Sequence, residues 1–239
     1  MQEYNRFELE NELKRHMYRL IPSCVLASNS VRRKELLQNL GIEVFTLPVD
    51  AKEFTPRLGN PAEIVKKNAF LKMDRLKETH DIKNIVYPII TADTVVAVDL
   101  ERVNSLVNNN QIYSAYNCYI LGKPKDKTEA LNMLSLLRKA KVHRVYTGIA
   151  VSFYDRADRR DFTVYADDYA DVVFKDGVSK EDLIRYIQDP NVLSAAGSYR
   201  IQNNPDALFS SVYGDITTVE GLSYTALYEA LERIDFASR

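Results

Sequence analysis

This 239-residue sequence lacks the features that mark secreted and membrane proteins. Its two cysteines, Cys24 and Cys118, are too few for a disulfide framework and fit a reducing intracellular compartment. No apolar run approaches the roughly 20 residues that a membrane span needs. The first 15 residues are rich in charge and have no apolar signal core. We therefore expect a cytoplasmic protein with no membrane partner.

The sequence also has no excess of positive charge. Its net charge is −1, with 46% hydrophobic and 27% charged residues, which are ordinary values for a globular protein. Without a global basic field we expect no nucleic-acid partner, and any anion site has to be local.

Several common catalytic motifs are missing. The three histidines, His16, His80 and His143, do not have the spacing of a zinc site. Neither a P-loop, G-x-x-x-x-G-K-[ST], nor the dinucleotide pattern G-x-G-x-x-G occurs. Ser28 and Ser30 lack the G-x-S-x-G setting of a serine hydrolase nucleophile.

The most informative stretch runs from Val25 to Leu37. A short apolar run turns through small polar residues and opens a helix, whose free backbone N–H groups favour an anion. Arg32 and Arg33 stand in the first turn, where cations are locally unfavourable, so we expect a negative partner, with phosphate as the first hypothesis. The alternative is two solvated arginines on a helix surface.

Helices and strands alternate along the chain, which predicts an α/β fold with a mixed sheet. Periodicity, capping residues and turn residues predict helices at 1–20, 32–40, 61–77, 128–139, 179–188 and 225–234, strands at 24–27, 42–47, 85–97, 142–154, 162–174 and 210–219, and a mobile polar excursion at 100–117.

Asp93 stands inside an apolar, β-branched strand, in T-A-D-T-V-V. A carboxylate there is costly unless it is paired, solvated at a strand end or bound to a metal. We interpret it as a general base or metal ligand at the C-terminal edge of the strand, and the alternative is a structural turn cap. Other candidates carry little information on their own. Lys72 and Lys123 fit surface lysines, and Glu53 lies in a polar loop. Gln202 fits either a side chain that recognises a nucleobase or a solvated one.

Seven segments together resemble the Maf family of nucleoside triphosphate pyrophosphatases. They are L-A-S-N-S-V-R-R-K-E-L-L at 26–37, N-A-F-L-K at 68–72, T-A-D-T-V-V at 91–96, I-L-G-K-P at 120–124, H-R-V-Y-T-G at 143–148, A-G-S-Y-R-I-Q at 196–202 and Y-G-D-I-T-T-V-E-G-L at 213–222. The resemblance implies a mixed twisted sheet flanked by helices, in two lobes around a central cleft. It places a Maf-like domain at 23–239, with an insertion at about 100–117, after an N-terminal helical extension at 1–22.

The resemblance implies hydrolysis of a nucleoside triphosphate to the monophosphate and pyrophosphate, with Mg²⁺, or else Mn²⁺ or Co²⁺, and the possibility of a homodimer. It implies that Asp93 and Glu53 are the catalytic and metal-binding acids. The residues implied to bind the substrate are Ser30, Arg32, Arg33, Lys72, Lys123, Thr94 and Gln202. Of these, Gln202 would help to hold the nucleobase of the substrate.

Thr94 favours the dTTP/UTP branch of the family, because the 7-methyl-GTP branch tends to have S-D-Q where this chain has A-D-T. The expected role is housecleaning of the nucleotide pool, including modified pyrimidine nucleotides. The alternatives are an ITP/XTP-type or 7-methyl-GTP pyrophosphatase and a non-catalytic nucleotide-binding regulator of cell division. Val31 and Ser223 replace family prolines, which loosens the turn before the arginines in the first case.

Overall fold

Eight strands form one sheet in the computed structural model, which describes residue 11 and residues 13–15, 21–106, 117–156, 159–202 and 205–237. The strands are β1 (Ser23–Leu26), β2 (Glu43–Thr46), β3 (Leu58–Gly59), β4 (Ile89–Asp99), β5 (Cys118–Leu121), β6 (Val142–Asp155), β7 (Arg160–Phe174) and β8 (Phe209–Tyr213). The α-helices are α1 (Val31–Asn39), α2 (Pro61–Thr79), α3 (Leu100–Leu106), α4 (Lys127–Ala140), α5 (Lys180–Tyr186), α6 (Pro205–Leu208), α7 (Ile216–Glu220) and α8 (Tyr224–Ala237).

The main path through the sheet has the strand order β2-β1-β4-β6-β7-β8. β1 is parallel to both β2 and β4, whereas β4, β6, β7 and β8 pair with their neighbours in antiparallel fashion. β5 pairs with the end of β4 and carries the two-residue β3 on its other side. The prediction of a mixed sheet flanked by helices is confirmed.

Helix starts follow the capping chemistry of the sequence. The Ser30 hydroxyl accepts from the backbone N–H of Arg33 at the start of α1. Asn60 caps α2, where Pro61 occupies the first helical turn and has no N–H to satisfy. Ser179 and Asp182 form a reciprocal capping box at α5. These caps fix where each helix leaves the sheet.

Two large hydrophobic clusters lie in different parts of the sheet. One packs α1 and α8 against β1, β4 and β6, with Leu36, Leu37 and Tyr224 fully buried. The other packs α4 and α5 against β4, β6 and β7 around Leu134 and Phe174. Because they are separate clusters on one continuous sheet, the space between them can hold a cleft without breaking either core.

The region predicted as a strand at 210–219 is a strand followed by a helix, so that prediction was wrong in its second half. β8 ends at Tyr213, and Asp215 then caps α7 by accepting from the N–H and the hydroxyl of Thr217. Gly221 ends α7 with a positive φ of 106°. The two caps override the strand preference of the β-branched residues between them.

The predicted mobile excursion at 100–117 begins instead as α3, in which Leu100 and Val103 are buried. Residues 107–116 of the excursion lie outside the described residues. Most of the predicted N-terminal helix also lies outside them; residues 11 and 13–15 are helical, and Leu13 is buried in the core beside α1. Among the described helices, none combines the length and apolar character needed to cross a lipid bilayer.

Candidate active site

A gap in the pairing of β4 creates the site. β1 pairs with β4 at Ile89 and Ile90, and β5 joins the same edge from Val96 onward. Between these two ladders, β4 is paired only with β6 among the described strands. β1 leaves through the turn into α1 just where the gap begins, so its helix start faces the opening. Ligands bind in open sheets where neighbouring strands diverge in this way.

A cleft of about 1450 Å³ occupies the gap and its surroundings. All nine residues predicted for catalysis, metal binding or substrate binding line this one cleft: Ser30, Arg32, Arg33, Glu53, Lys72, Asp93, Thr94, Lys123 and Gln202. Residues that are up to about 170 positions apart in the sequence are thus gathered around a single opening. Their assigned roles remain predictions.

Asp93 lies in the middle of β4, opposite Gly148 of β6, and not at the strand end where we expected it. It is 5% exposed, and both carboxylate oxygens are bonded. Oδ1 accepts from Lys72 Nζ at 2.7 Å and Oδ2 accepts from Asn68 Nδ2 at 2.8 Å. The edge of β4 that lacks a partner among the described strands does what we expected of the strand end, because it gives the mid-strand carboxylate of Asp93 access to the cleft.

Lys72 is buried, so the interpretation of it as a surface lysine was wrong. Its exposure is 8%, and its ammonium has three acceptors. Nζ donates to Asp93 at 2.7 Å and to the Ala92 carbonyl at 3.0 Å, and it forms an ion pair with Glu53 Oε1 at 2.8 Å. The ammonium therefore joins the two carboxylates that the resemblance singled out.

Asn68 was missed by the sequence analysis, although it lies one turn before Lys72 on the same face of α2. It is 1% exposed. Besides Asp93, its side chain contacts Phe54 twice, accepting from the backbone N–H at 2.7 Å and donating to the carbonyl at 3.0 Å. Asn68 thus fastens the loop that carries Glu53 against α2. The available signal was two polar side chains at i and i+4 within a buried helix face.

Glu53 is the second carboxylate at the gap. Burial alone would raise its pKa, but Lys72, Lys123 and Arg33 together lower the pKa of Glu53 below its usual value. Its Oε2 lies 3.7 Å from Lys123 Nζ, a looser contact than the one between Oε1 and Lys72. Glu53 is therefore held as a carboxylate with capacity for a further cation.

Arg33 reaches the gap from the other side of the sheet. Its guanidinium donates to the Gly221 carbonyl at 2.8 Å, to Thr94 Oγ1 at 3.2 Å and to Ser28 Oγ at 3.4 Å. Burial lowers the pKa of Arg33, while Asp93 and Glu53 oppose that shift. Because its acceptors are neutral, the positive charge remains available to an anion.

A chain of hydroxyls supports Arg33 from behind. Thr94 Oγ1, which accepts from Arg33, lies 2.9 Å from Thr147 Oγ1. Thr147 in turn donates to the Thr218 carbonyl at 2.7 Å, so the bridging proton belongs to Thr94. Thr94 is thereby engaged in holding Arg33. Its predicted role in substrate preference would have to act through that arginine, since its own proton is already used.

Arg32 pairs with a carboxylate that the sequence analysis also missed. Its Nη2 lies 2.5 Å from Glu220 Oε2 at the end of α7, and its Nη1 lies 3.5 Å from Glu35 of its own helix. Glu220 lines the cleft, with a side chain that is 6% exposed. For Arg32, though not for Arg33, a negative partner is thus present in the chain itself. No local sequence pattern indicates a contact over 188 residues.

The remaining predicted residues have less restrained surroundings. The Lys123 side chain is 58% exposed at the cleft margin, in contact with Glu53 only through the 3.7 Å ion pair. Gln202 is half-buried and lies in the same lining. The Ser30 hydroxyl caps α1, which leaves its oxygen close to the helix start where an anion is favoured.

The two carboxylates fit a magnesium ion that is shared with a substrate. Mg²⁺ prefers oxygen ligands and is commonly bound by one or two carboxylates together with phosphate oxygens and water. Asp93 and Glu53 both line the cleft, and the Lys72 ammonium already occupies the position between them, so an ion would bind beside this ammonium and need further oxygen ligands. Within the described residues no three His, Cys, Asp or Glu side chains cluster as a metal site. The donor set therefore fits a substrate-completed ion better than a protein-only cage.

Comparison with known proteins identifies the family. A family model described as Maf-like protein matches residues 23–234. The chain belongs to the Maf family. Its relatives in this family include a dTTP/UTP pyrophosphatase of Agathobacter rectalis, 32% identical over 88% of this chain and 96% of the relative. Another dTTP/UTP pyrophosphatase, from Bacillus cytotoxicus, is 33% identical over 88% of this chain and 95% of the relative.

A third Maf relative from Dictyoglomus thermophilum, also named dTTP/UTP pyrophosphatase, is 31% identical over 89% of this chain and 96% of its own length. The family that the seven sequence segments resemble is therefore confirmed. The matches span nearly the whole length of these relatives, and the family model covers every residue that lines the cleft.

Proposed function

We propose that this Maf protein is a nucleoside triphosphate pyrophosphatase that hydrolyses dTTP and UTP to the nucleoside monophosphate and pyrophosphate. The observation that carries the proposal is the convergence of Arg33, Lys72 and Lys123 with Asp93 and Glu53 at the gap in the sheet. The names of the relatives support the reaction and the pyrimidine substrates.

The cations would bind and orient the triphosphate. Arg33 enters from the α1 side of the sheet and Lys123 from the cleft margin, so the phosphates would lie across the gap. A triphosphate carries roughly four negative charges, which charge-assisted hydrogen bonds from guanidinium and ammonium groups stabilise. Phosphoryl transfer depends mainly on such positioning and charge neutralisation.

The two carboxylates would activate the attacking water. Asp93, which Lys72 and Asn68 hold in position, would accept a proton from a water that attacks the phosphate chain, with Glu53 assisting. General base catalysis of this kind contributes about 10²–10⁴-fold to the rate. We propose Mg²⁺, held by Asp93 and Glu53, as the cofactor; when bound, it would neutralise phosphate charge and lower the pKa of a bound water. Cleavage of the anhydride bond consumes the water and releases pyrophosphate.

The proposal is tested by incubating the purified protein with Mg²⁺ and each of dTTP, UTP, ITP and 7-methyl-GTP, and by measuring released pyrophosphate and monophosphate. We expect turnover of dTTP and UTP above that of the two purine nucleotides. Preference for ITP or 7-methyl-GTP would replace the substrate assignment, and binding without release of pyrophosphate from any of them would refute the enzymatic function.

The Asp93→Asn variant serves as the chemical control. It keeps the size of the side chain and removes the charge that accepts the proton, so turnover should fall by at least 10²-fold. Circular dichroism and thermal melting should show that the variant is folded. A folded Asp93→Asn variant with full activity would show that Asp93 is not the base.

A further inference from the structure

The two arginines at the start of α1 are anchored in different ways. Arg33 has the neutral acceptors Gly221, Thr94 and Ser28. Arg32 is instead held by a charge, the carboxylate of Glu220, at 2.5 Å. Neutral acceptors position a guanidinium and leave its charge to a ligand, whereas a carboxylate also cancels that charge. Arg32 is therefore weakened as an anion site before any ligand binds.

The pair of Arg32 and Glu220 is incompletely satisfied. Arg32 Nε is buried without an acceptor, and Glu220 Oε2 has no aligned hydrogen bond, although it lies close to Nη2. Two polar atoms in need of better partners adjoin the cleft where the phosphates would lie. A pair of this kind can exchange partners more readily than the fully bonded ammonium of Lys72.

An exchange of partners at Arg32 would leave Glu220 without its cation. If a phosphate binds Arg32 in place of Glu220, a carboxylate that is only 6% exposed remains beside an anionic ligand. An unpaired, buried carboxylate near a second negative charge is strongly unfavourable. Each phosphate that binds Arg32 must overcome this penalty, so affinity for the ligand is lower than the visible cations suggest.

We propose that Glu220 is a positioning residue that acts as a resident anion: it occupies Arg32 in the free protein and competes with polyphosphate for it. The identity of the ligand as a polyphosphate rests on the proposed function. Glu220 would thereby keep pyrophosphate and substrate binding weak enough for product to leave. This role is separate from the proton transfer assigned to Asp93.

The test is calorimetric titration with inorganic pyrophosphate at constant Mg²⁺ concentration, which needs no turnover. In the Glu220→Gln variant the competing charge is absent and the shape is kept, so we expect at least fivefold tighter binding than in the unaltered protein. The matched control is Glu35→Gln, which removes the other, exposed carboxylate beside Arg32 and should change binding less than twofold. Unchanged or weaker binding by Glu220→Gln would overturn the proposal.

A second comparison separates competition for Arg32 from general charge repulsion. The Arg32→Gln variant removes the group for which Glu220 competes, and the double variant with Glu220→Gln removes both charges. Adding Glu220→Gln to Arg32→Gln should therefore change pyrophosphate binding less than twofold; a gain of fivefold or more in that background would overturn the proposal, as would a lack of binding by every protein tested. If Glu220→Gln does not fold, Glu220→Asp, whose shorter side chain withdraws the carboxylate from Arg32, should tighten binding in the same direction, and unchanged binding would overturn the proposal. The nucleotide assay is independent: absence of turnover with these affinity differences intact would refute the proposed function alone.

In kinetic terms, Glu220→Gln should lower KM for the triphosphate while kcat stays the same or falls through slower product release. A glutamate with only a structural role would not lower KM in this way, because its loss would lower kcat and stability together without tightening substrate binding. A rise in KM would contradict the competition.

Discussion

Replacing Lys72 by Met removes the charge that joins the two site carboxylates while keeping the length of the side chain. In the unaltered protein the ammonium has acceptors on Ala92, Asp93 and Glu53 at 2.7–3.0 Å. Removal of one member of a buried ion pair destabilises a protein by about 3–5 kcal/mol, because the other charge remains unpaired. Since Glu53 is partly solvated, with 28% of its side chain exposed, we expect about 3 kcal/mol at pH 7.

The pH dependence separates this charge effect from a packing effect. The pKa of Glu53 is held below its usual value of 4.5, with the attraction of Lys72 as the largest lowering influence. Its ionisation therefore stabilises the unaltered protein above pH 4.5, and this contribution is lost as the pH falls through the lower pKa of the folded state. Without Lys72, burial dominates and the pKa of Glu53 should rise above its usual value, so the variant regains stability as the carboxylate is protonated.

Equilibrium unfolding in urea, with EDTA present, measures this effect at several pH values between 7 and 4. The stability difference between the two proteins should shrink as the pH falls. Lys66→Met on the exposed face of the same helix is the control and should cost less than about 1 kcal/mol. A difference of less than 1 kcal/mol for Lys72→Met at pH 7, or one that does not change with pH, would refute the reasoning.

Three further variants test the surroundings of the site. Asn68→Leu should lower kcat about 10–100-fold, as loss of a side chain that orients a catalytic or metal-binding group does, and limited proteolysis should cut the released Glu53 loop faster than in the unaltered protein. Thr147→Val breaks the hydroxyl chain behind Arg33 and should lower kcat/KM about tenfold, whereas Thr147→Ser should restore it. His143 is buried against the Tyr199 hydroxyl, and burial lowers the pKa of His143 to about 3. Below its usual pKa of 6.5 the unfolded chain binds the proton and the folded chain does not, so unfolding experiments should show the advantage of the unaltered protein over His143→Gln shrinking by up to about 1.4 kcal/mol per pH unit between 6.5 and 3.

Local sequence chemistry predicted the frame of the site. The strand, turn and helix from Val25 to Asn39 follow from an apolar run, a serine cap and helix periodicity, all of which act within a few residues. Asp93 was recognisable because an acid inside an apolar strand demands a partner. These features were predictable because the forces that determine them are local.

The partners of Asp93 were not predictable in the same way. Helix periodicity puts Asn68 and Lys72 on one face of α2, yet it does not indicate which strand that face meets. That depends on how α2 packs across β4 and β6, a tertiary arrangement. Glu220 is a stronger example, because α7 was predicted as a strand and its carboxylate meets Arg32 only after the whole sheet has formed.

The pleat of β4 explains why this site needs both faces of the sheet. Successive side chains of a strand point to opposite faces, and accordingly Asp93 meets Lys72 on α2, whereas Thr94 meets Arg33 from α1. Between Ile90 and Val96, one edge of β4 has no partner among the described strands, which lets groups from both faces reach the same cleft. A one-residue shift in the pairing of β4 with β6 would exchange the two side chains, leaving the carboxylate against Arg33 and the hydroxyl against Lys72. The long antiparallel ladder from Ile89 to Ala97, with Gly148 opposite Asp93, fixes that register, so strand pairing determines which cation each site residue meets.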